Sequence, residues 1–281
     1  MNPQSLLDVL KPQRITEIVD IGANPIDGDP PYKPMLMAGE ICRVTGFEPQ
    51  ESALKKLNDT KSKIERYLPY VIGDGSEQVL NICLAEGMTS TYKPNKKILE
   101  IFHPFDIWGE VISQEKVVTK TLDSISEIEE LDFLKIDIQG GELNVFQHGK
   151  KKLANTVVVQ TEVSFIPLYE GQPTFSAIDI ELRDLGFIPH CFPAIKNWMI
   201  APLVINNDPR IPLNQLIEAD IVYVKDFTKP ESISDEQLKH LALISHICYK
   251  SFDLSMRCIA ILEERGVVPS GSVAQYPSII S

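Results

Sequence analysis

Short apolar segments alternate with helical stretches along this chain, and no other feature of the sequence constrains the fold as strongly. The first apolar segment, residues 15–21, ends in the turn Gly22-Ala23-Asn24-Pro25. Continuous apolar strands flanked by helices are typical of a parallel sheet that is buried on both faces. The alternation therefore predicts an α/β fold with a doubly wound, Rossmann-like sheet.

The same pattern predicts the individual elements. The predicted strands are residues 15–21, 43–47, 68–72, 78–84, 117–122, 132–138, 156–163, 187–192 and 220–225. The predicted helices are residues 35–38, 52–58, 142–148 and 175–185, the last of which ends at Gly186. Residues 86–113 are expected to form a long irregular loop, which in a compact domain is usually functional or mobile.

The last part of the chain reads as purely helical. Residues 234–265 predict one or two amphipathic helices, whose apolar stripe consists of Leu238, Leu241, Ile244, Cys248, Phe252, Ile259 and Leu262. We therefore expect a main α/β domain over residues 1–228 and a helical extension over residues 229–281. The extension either packs on the main domain or forms the face of a homodimer. Residues 193–218 are expected to form a lid or an edge extension.

The composition limits the partners that this chain is expected to have. Its formal net charge is −12, and an acidic surface repels phosphate backbones and anionic lipid, so neither nucleic acid nor a membrane is an expected partner. Five cysteines without a C-x-x-C pair indicate free thiols. With no signal peptide and no bilayer-length apolar run, we expect a soluble cytoplasmic protein.

Acidic residues stand at five predicted strand ends, where packing alone would place apolar or small residues. These residues are Asp20, Glu48, Asp74, Asp137 and Glu162. In an open parallel sheet, ligands bind beyond the carboxyl ends of the strands. An acid near the first turn can hold an ammonium group, one after the second strand can accept both ribose hydroxyls, and Asp74 can accept the amine of an adenine. Together they describe S-adenosylmethionine, a cationic amino acid that carries adenosine.

A dinucleotide fits the first turn less well. The dinucleotide motif G-x-G-x-x-G places glycines against a pyrophosphate, whereas Gly22 is followed by Ala23, Asn24 and Pro25. S-adenosylmethionine has no pyrophosphate and does not need a second glycine. An NAD(P)-dependent oxidoreductase therefore stays as an alternative that these residues disfavour.

Five segments of the chain resemble the FkbM family of methyltransferases. They are VDIGAN (residues 19–24), GFEP (46–49), IGDG (72–75), DFLKIDIQGGEL (132–143) and VVQTEVSFIPLYEGQP (158–173). The resemblance spans residues 15–227 and implies a seven-stranded methyltransferase sheet, with a terminal antiparallel strand in a hairpin of residues 187–192 and 220–225. It also implies O-methylation, often of sugar or natural-product hydroxyls. The family turn usually continues with glycine and aromatic residues, whereas here Pro25-Ile26-Asp27-Gly28 follows, which indicates a variant subgroup.

These observations give a set of candidate site residues. The predicted cofactor-binding residues are Asp20, Gly22, Ala23, Asn24, Glu48, Pro49, Gly73, Asp74, Ser90 and Asp137. The catalytic candidates are Lys135, Asp137, Glu162 and His190. A hydroxyl acceptor must lose its proton, which a positioned carboxylate or histidine can take. Two acids in one site can also share a proton or bind a divalent metal, so metal dependence stays open.

Structural roles compete with several of these assignments. Asp137 either holds the cofactor or accepts a proton, and Glu162 either acts in the site or binds a backbone group or Lys135. Lys135 either forms a buried ion pair or lowers the pKa of a substrate. Glu142 opens a helix, and a favourable first-turn acid is its simplest role.

The leading hypothesis is an S-adenosylmethionine-dependent O-methyltransferase that acts on a hydroxyl of a small molecule or glycan. The alternative of a different class is a non-catalytic cofactor-binding module that presents its C-terminal helices to a partner. Loop composition does not encode the acceptor. Trp108 and Trp198 lie in the two irregular segments, where they either stack on a sugar ring or anchor the loops.

Overall fold

The computed structural model describes residues 3–24 and 28–280, so Pro25, Ile26 and Asp27 of the variant turn lie outside the described residues. Within these ranges the strands are β1 (Thr16–Ile21), β2 (Cys42–Phe47), β3 (Glu65–Leu68), β4 (Glu77–Cys83), β5 (Val111–Val118), β6 (Phe133–Ile136), β7 (Val158–Ser164), β8 (Phe187–Trp198) and β9 (Gln215–Lys225). The α-helices are α1 (Pro3–Leu10), α2 (Lys33–Met37), α3 (Glu51–Thr60), α4 (Lys96–Leu99), α5 (Phe105–Trp108), α6 (Glu142–Gln147), α7 (Lys150–Asn155), α8 (Phe175–Asp184), α9 (Asp235–Ile247), α10 (Phe252–Glu264), α11 (Ser272–Gln275) and α12 (Pro277–Ile280).

Seven strands form one sheet in the order β3-β2-β1-β6-β7-β9-β8. The strands from β3 to β7 in this order are parallel, and β9 runs antiparallel to both of its neighbours. The strand order reverses between β1 and β6, which is the switch point where α/β sheets bind ligands. This topology confirms the predicted doubly wound, seven-stranded sheet with an antiparallel strand in its last hairpin.

Alternating side chains of the central strands bury two separate cores. Ile18 and Phe133 pack with α1, α9 and α10 on one face, whereas Val19 and Leu134 pack with α6 and α8 on the other. This alternation follows from the two-residue period of a strand, and each such burial contributes about 1.5–3 kcal/mol. The parallel strands read as continuous apolar runs because helices cover both faces.

The C-terminal helices belong to the first of these cores. All seven residues of the predicted apolar stripe, Leu238 to Leu262, pack in the cluster that includes Ile18 and Val44 of the sheet. The stripe therefore packs on the sheet and is not free to serve as a dimer face. Among the described residues, no helix has the length and apolar character that crossing a membrane requires.

Two predicted strands are displaced in the structure. The strand expected over residues 68–72 ends at Leu68, because Pro69 has no N–H to donate to a neighbouring strand. The strand expected over residues 117–122 is β5, which covers Val111–Val118 and pairs only with β4 in a separate two-stranded ribbon. The pattern did not predict β5 at its observed position because most of this strand is exposed. Its sequence contains the polar run of residues 113–116 and presents no apolar face.

The irregular segments contain more regular structure than expected. Residues 86–113 include a 3-10 turn, α4, α5 and the start of β5. The region of residues 193–218 extends the sheet edge, since β8 continues to Trp198 and β9 begins at Gln215. Trp198 packs edge-on against Trp108, with ring centroids 6.0 Å apart, and its Nε1 donates to the carbonyl of His103 at 3.0 Å. Both tryptophans therefore anchor loops.

Candidate active site

The carboxyl ends of β1, β2 and β6 meet at the switch point. The Gly22 N–H donates to the carbonyl of Phe47, and the Asp137 N–H donates to the carbonyl of Ile21, each at 3.0 Å. Gly22 has a φ of +79°, and a Cβ there would lie 2.0 Å from the carbonyl oxygen of Asp137. Glycine is required at this position, because the turn after β1 lies directly on the turn after β6.

An open cavity lies beyond these strand ends, at the place where open α/β sheets bind small molecules. Six of the predicted cofactor residues line it, namely Gly22, Asn24, Glu48, Pro49, Ser90 and Asp137. The remaining lining residues are Ile21, Phe47, Gln50, Tyr70, Val71, Ile72, Leu80, Glu86, Gly87, Thr89, Thr91, Ile138 and Gln139. The cavity thus combines polar groups at the strand ends with apolar side chains on its far wall.

Glu48 places a buried carboxylate at the end of β2. The residue is 3% exposed, and its Oε1 accepts the N–H of Gln50 at 2.8 Å. Burial raises the pKa of Glu48, while hydrogen bonds from the backbone N–H groups of Gln50 and Asn24 oppose that shift. Glu48 is therefore a fixed hydrogen-bond acceptor at the strand end where a ribose is commonly held in this class of sheet.

Asn24 adds an unused donor to the same wall. Its Nδ2 is buried and has no hydrogen-bond partner among the described residues. A buried donor without a partner costs about 1–3 kcal/mol, so a ligand group that accepts a hydrogen bond from Asn24 would recover this energy. The cavity therefore fits a ligand with both hydroxyl donors and an anionic acceptor.

Asp20, Lys135 and Ala23 lie beneath the cavity instead of lining it. Asp20 is buried, its Oδ2 accepts from the hydroxyl of Tyr32 at 2.6 Å, and its Oδ1 is 3.4 Å from Lys135 Nζ. Lys135 also donates to the carbonyl of Gly22 at 3.1 Å, and Ala23 packs in a small apolar cluster. The structure thus places Asp20 and Lys135 in a buried ion pair under the Gly22 turn, and a contact of Asp20 with the ammonium group of the ligand stays a prediction.

The pKa shifts agree with this pairing. Burial raises the pKa of Asp20, and the charge of Lys135 opposes the shift. Burial lowers the pKa of Lys135, but the charges of Asp20 and Asp137 outweigh it and the net pKa is raised. Lys135 therefore stays protonated at neutral pH, and it supports the turn that carries Gly22.

Three other predicted site residues are not brought to the cavity. Gly73 packs against Thr119, and Asp74 Oδ1 accepts from the N–H of Ser76 at 2.9 Å. His190 lies on β8 with its Nε2 2.7 Å from the hydroxyl of Ser251, which precedes α10. Neither Asp74 nor His190 lines the cavity, and the expected roles of Asp74 as an adenine acceptor and of His190 as a base stay predictions. Asp74 is hydrogen-bonded to local polar partners such as Ser76, and His190 is hydrogen-bonded to Ser251 of the C-terminal helical layer.

A cluster of charged groups borders the cavity on the β7 side. Gln139 Nε2 donates to Asp137 Oδ1 at 2.9 Å and to Glu162 Oε2 at 2.8 Å. Lys196 Nζ donates to Glu162 Oε1 at 2.9 Å and to Glu218 Oε2 at 3.3 Å. Asp137 and Glu162 are thus joined through Gln139, as their neighbouring strands suggest. In the part of the chain that the structure describes, no group of three or more His, Cys, Asp or Glu side chains is placed to hold a metal ion.

Mutual repulsion and burial set the protonation of this cluster. Burial raises the pKa of Glu162 well above its ordinary value, the charges of Glu218 and Asp137 raise it further, and Lys196 opposes them. Burial likewise raises the pKa of Glu218. Two buried carboxylates that share one lysine favour retaining a proton. The carboxyl groups of this cluster therefore hold a proton more tightly than isolated carboxyl groups do.

Sequence reasoning missed Lys196, Glu218 and the wall formed by Tyr70, Val71 and Ile72. The wall residues follow β3, and the displaced strand prediction assigned them to the sheet. Lys196 and Glu218 lie in the region predicted to form a lid or an edge extension, and they meet only because β8 and β9 pair at that register. The TEVSFIPLY block was the local signal that this edge of the sheet carries function.

Glu142 has a larger role than a favourable first-turn acid. Its Oε1 accepts the N–H of Ile138 and its Oε2 accepts the N–H of Gly140, both at 2.9 Å. These bonds hold the turn between β6 and α6, which carries Asp137 and Gln139. Burial raises the pKa of Glu142 to about 7 against the effect of the backbone donors.

Replacement of Glu142 by Gln is expected to change how stability depends on pH. From its ordinary pKa of 4.5 up to about 7, the folded state retains a proton that the unfolded chain has released, so the free energy of unfolding falls as the pH rises. The full effect is about 3 kcal/mol. Glu142→Gln removes it, so the variant gains relative to the wild type between pH 4.5 and 7 in urea unfolding. A stability difference that stays constant across this window would contradict the assignment.

The seven-stranded sheet with its antiparallel strand β9 is the one that the resemblance to the FkbM methyltransferases implies. Residues 20–189, more than half of the chain, match the model of the methyltransferase FkbM domain. The chain belongs to the FkbM family and is an S-adenosylmethionine-dependent methyltransferase.

Several solved structures match this chain at low sequence identity, and no curated protein matches it. A putative methyltransferase from Thermoplasma acidophilum is 10% identical over 76% of this chain and 70% of its own, with a TM-score of 0.38. Magnesium protoporphyrin IX methyltransferase from Synechocystis, with S-adenosylmethionine bound, is 11% identical over 80% and 79%, with a TM-score of 0.35. An Aquifex aeolicus methyltransferase is 11% identical over 79% and 89%, with a TM-score of 0.31.

Proposed function

We propose that this chain transfers a methyl group from S-adenosylmethionine to a hydroxyl of a sugar-containing or other small metabolite. The observation that carries the proposal is the group Asp137–Gln139–Glu162, in which a carboxylate on the cavity wall is joined to a second carboxylate of raised pKa. O-methylation requires a proton acceptor beside the methyl donor. This group supplies one at the strand ends where the donor binds.

The cavity residues fit the proposed donor in three respects. Glu48 offers a carboxylate to the two ribose hydroxyls, and the unpaired amide of Asn24 offers a donor to the carboxylate of the methionine part. Ile72 and Leu80 offer an apolar wall to the purine. When bound, the donor supplies a methyl group already activated on a sulfonium, so the chain's main task is to align the acceptor oxygen with it.

The acceptor hydroxyl must lose its proton as the new bond to its oxygen forms. Asp137 is the carboxylate on the cavity wall, and Glu162 lies behind it with Gln139 between them. We assign the proton to this carboxylate group, with Asp137 next to the acceptor and Glu162 setting its charge. Lys135 supports the Gly22 turn and His190 lies elsewhere, so neither is included.

Two measurements test the proposal in sequence. Calorimetry with S-adenosylhomocysteine is expected to show binding, and a labelled methyl group is expected to pass to a member of a panel of hydroxylated small molecules and glycans. Asp137→Asn should slow the transfer by about 10²–10⁴-fold, since general-base catalysis has that size. Glu170→Gln, an exposed acid paired with Lys93, is the matched control. Binding without transfer to any acceptor would instead favour the non-catalytic cofactor-binding module.

A further inference from the structure

We infer that the acceptor carries a protonated amine near its reacting hydroxyl, and that this ammonium binds between Glu162 and Glu218 in the position that Lys196 holds. The inference rests on the proposed function, because it concerns the acceptor of the same site. Three observations carry it: the charge balance of the cluster, an unpaired carboxylate oxygen, and the exposure of Lys196.

Acids outnumber bases around this pair. The second lysine of the region, Lys135, is already paired with Asp20. Asp137 and Lys196 are charged groups that act on both glutamates. With Asp20 and the two glutamates themselves, four acids therefore lie with two lysines, Lys135 and Lys196, in a largely buried region. Such a region favours an additional cation.

Glu218 contains a buried oxygen that lacks a donor. The residue is 2% exposed, and its Oε1 has no hydrogen-bond partner among the described residues, whereas Oε2 accepts from Lys196 at 3.3 Å. An ammonium carries three donors and can serve both glutamates. A carboxylate that is buried and half satisfied therefore points to a cationic ligand group and not to an acid cluster that is complete in itself.

Lys196 already demonstrates that an ammonium fits at this position. Its side chain is 44% exposed, whereas those of Glu162 and Glu218 are 6% and 3% exposed. It lies on the edge strand β8, and the pairing of β8 with β9 is irregular between Lys196 and Asn197. Lys196 is therefore the member of the cluster that can withdraw to solvent, leaving both carboxylates to an ammonium from the acceptor.

A matched pair of small probes tests this assignment. Protonated 2-aminoethanol and ethylene glycol differ in having an ammonium or a hydroxyl at one end, and each is titrated by NMR into protein saturated with S-adenosylhomocysteine. We expect the amine to bind about tenfold more tightly than the diol, since a charge-assisted hydrogen bond replaces a neutral one. Lys196→Met should strengthen binding of the amine by a further factor of about ten, because the competing ammonium group of Lys196 is gone.

The controls separate this site from general electrostatics. Adding Glu218→Gln to Lys196→Met should abolish the preference for the amine, whereas Lys116→Met, which removes an exposed partner of Glu77 on the ribbon, should leave it unchanged. Thermal unfolding without probe verifies that each variant folds. If a variant does not fold, the comparison of 2-aminoethanol with ethylene glycol on the wild-type protein tests the inference.

Equal binding of the two probes, including binding of neither, overturns the inference. So does a folded Lys196→Met protein with no gain for the amine. Binding of S-adenosylhomocysteine is measured first, so the two failures are distinguishable. Its absence contradicts the proposed function, whereas its presence without an amine preference contradicts the nature of the acceptor alone.

Discussion

Gly22→Ala is expected to lower the affinity for S-adenosylhomocysteine by at least about 100-fold and to destabilise the fold. The added Cβ would lie 2.0 Å from the carbonyl oxygen of Asp137, a distance that no packing tolerates. Neighbouring strands hold the backbone of both residues in place. The turns after β1 and β6 must therefore separate. Because Asn24 and Asp137 are carried by these turns, the cavity wall moves with them. Calorimetry and urea unfolding measure the two effects.

Gly266→Ala is the matched control for backbone strain. Gly266 has a similar φ of +69°, and a Cβ there meets nothing within 4 Å. It should cost about 1–2 kcal/mol of stability from the left-handed conformation alone, without affecting the ligand. Equal effects of the two substitutions would show that strain, and not contact with Asp137, makes Gly22 necessary.

Glu48→Ala is expected to weaken binding of S-adenosylhomocysteine by about 10- to 100-fold while the fold is retained. Hydrogen bonds to a charged group contribute about 1.5–3 kcal/mol, and the proposed contact is to both ribose hydroxyls. The N–H of Gln50 loses its acceptor, but it lies at the rim of a cavity where water can replace it. Calorimetry at constant pH measures the change in affinity.

A neighbouring acid provides the comparison for Glu48. Glu51 is exposed in the first turn of α3, so Glu51→Ala should change the affinity by less than about twofold. A ligand that lacks the ribose hydroxyls should bind wild type and Glu48→Ala equally. Unchanged affinity of Glu48→Ala for S-adenosylhomocysteine would remove Glu48 from the ribose site.

The sheet could be predicted because its strands are buried on both faces. Segments such as Phe133–Ile136 and Val158–Ser164 are covered by helices, and continuous burial selects continuous apolar sequence. The ribbon strand Val111–Val118 is mostly exposed and carries no such signature. Strand ends were harder to locate, and Pro69 was the local cue that β3 ends at Leu68.

The lining of the cavity could be predicted for residues that stand at the carboxyl ends of the predicted strands. Gly22, Asn24 and Glu48 follow predicted strands, Asp137 lies near the end of one, and parallel strands bring their carboxyl ends to one edge. Pairing across the sheet is not encoded locally, so the contact of Lys196 with Glu218 was missed.

The local sequence also does not show whether a polar side chain at a strand end faces the cavity or the protein interior. Asp20 lies within the VDIGAN motif that predicts cofactor contact, yet its carboxylate is enclosed by the hydroxyl of Tyr32 and the ammonium of Lys135. Asp74 and His190 each satisfy a local or inter-layer partner. A polar residue near a strand end is therefore a candidate until its neighbours are known.

A crystal structure with S-adenosylhomocysteine bound tests the central claim most directly, since the claim is that the cavity at the β1–β6 switch point holds the methyl donor. We expect the ribose hydroxyls to bind the carboxylate of Glu48 and the amino-acid carboxylate to bind Nδ2 of Asn24. We also expect the purine to pack against Ile72 and Leu80. Density for the ligand outside this cavity, or with the ribose away from Glu48, would contradict it.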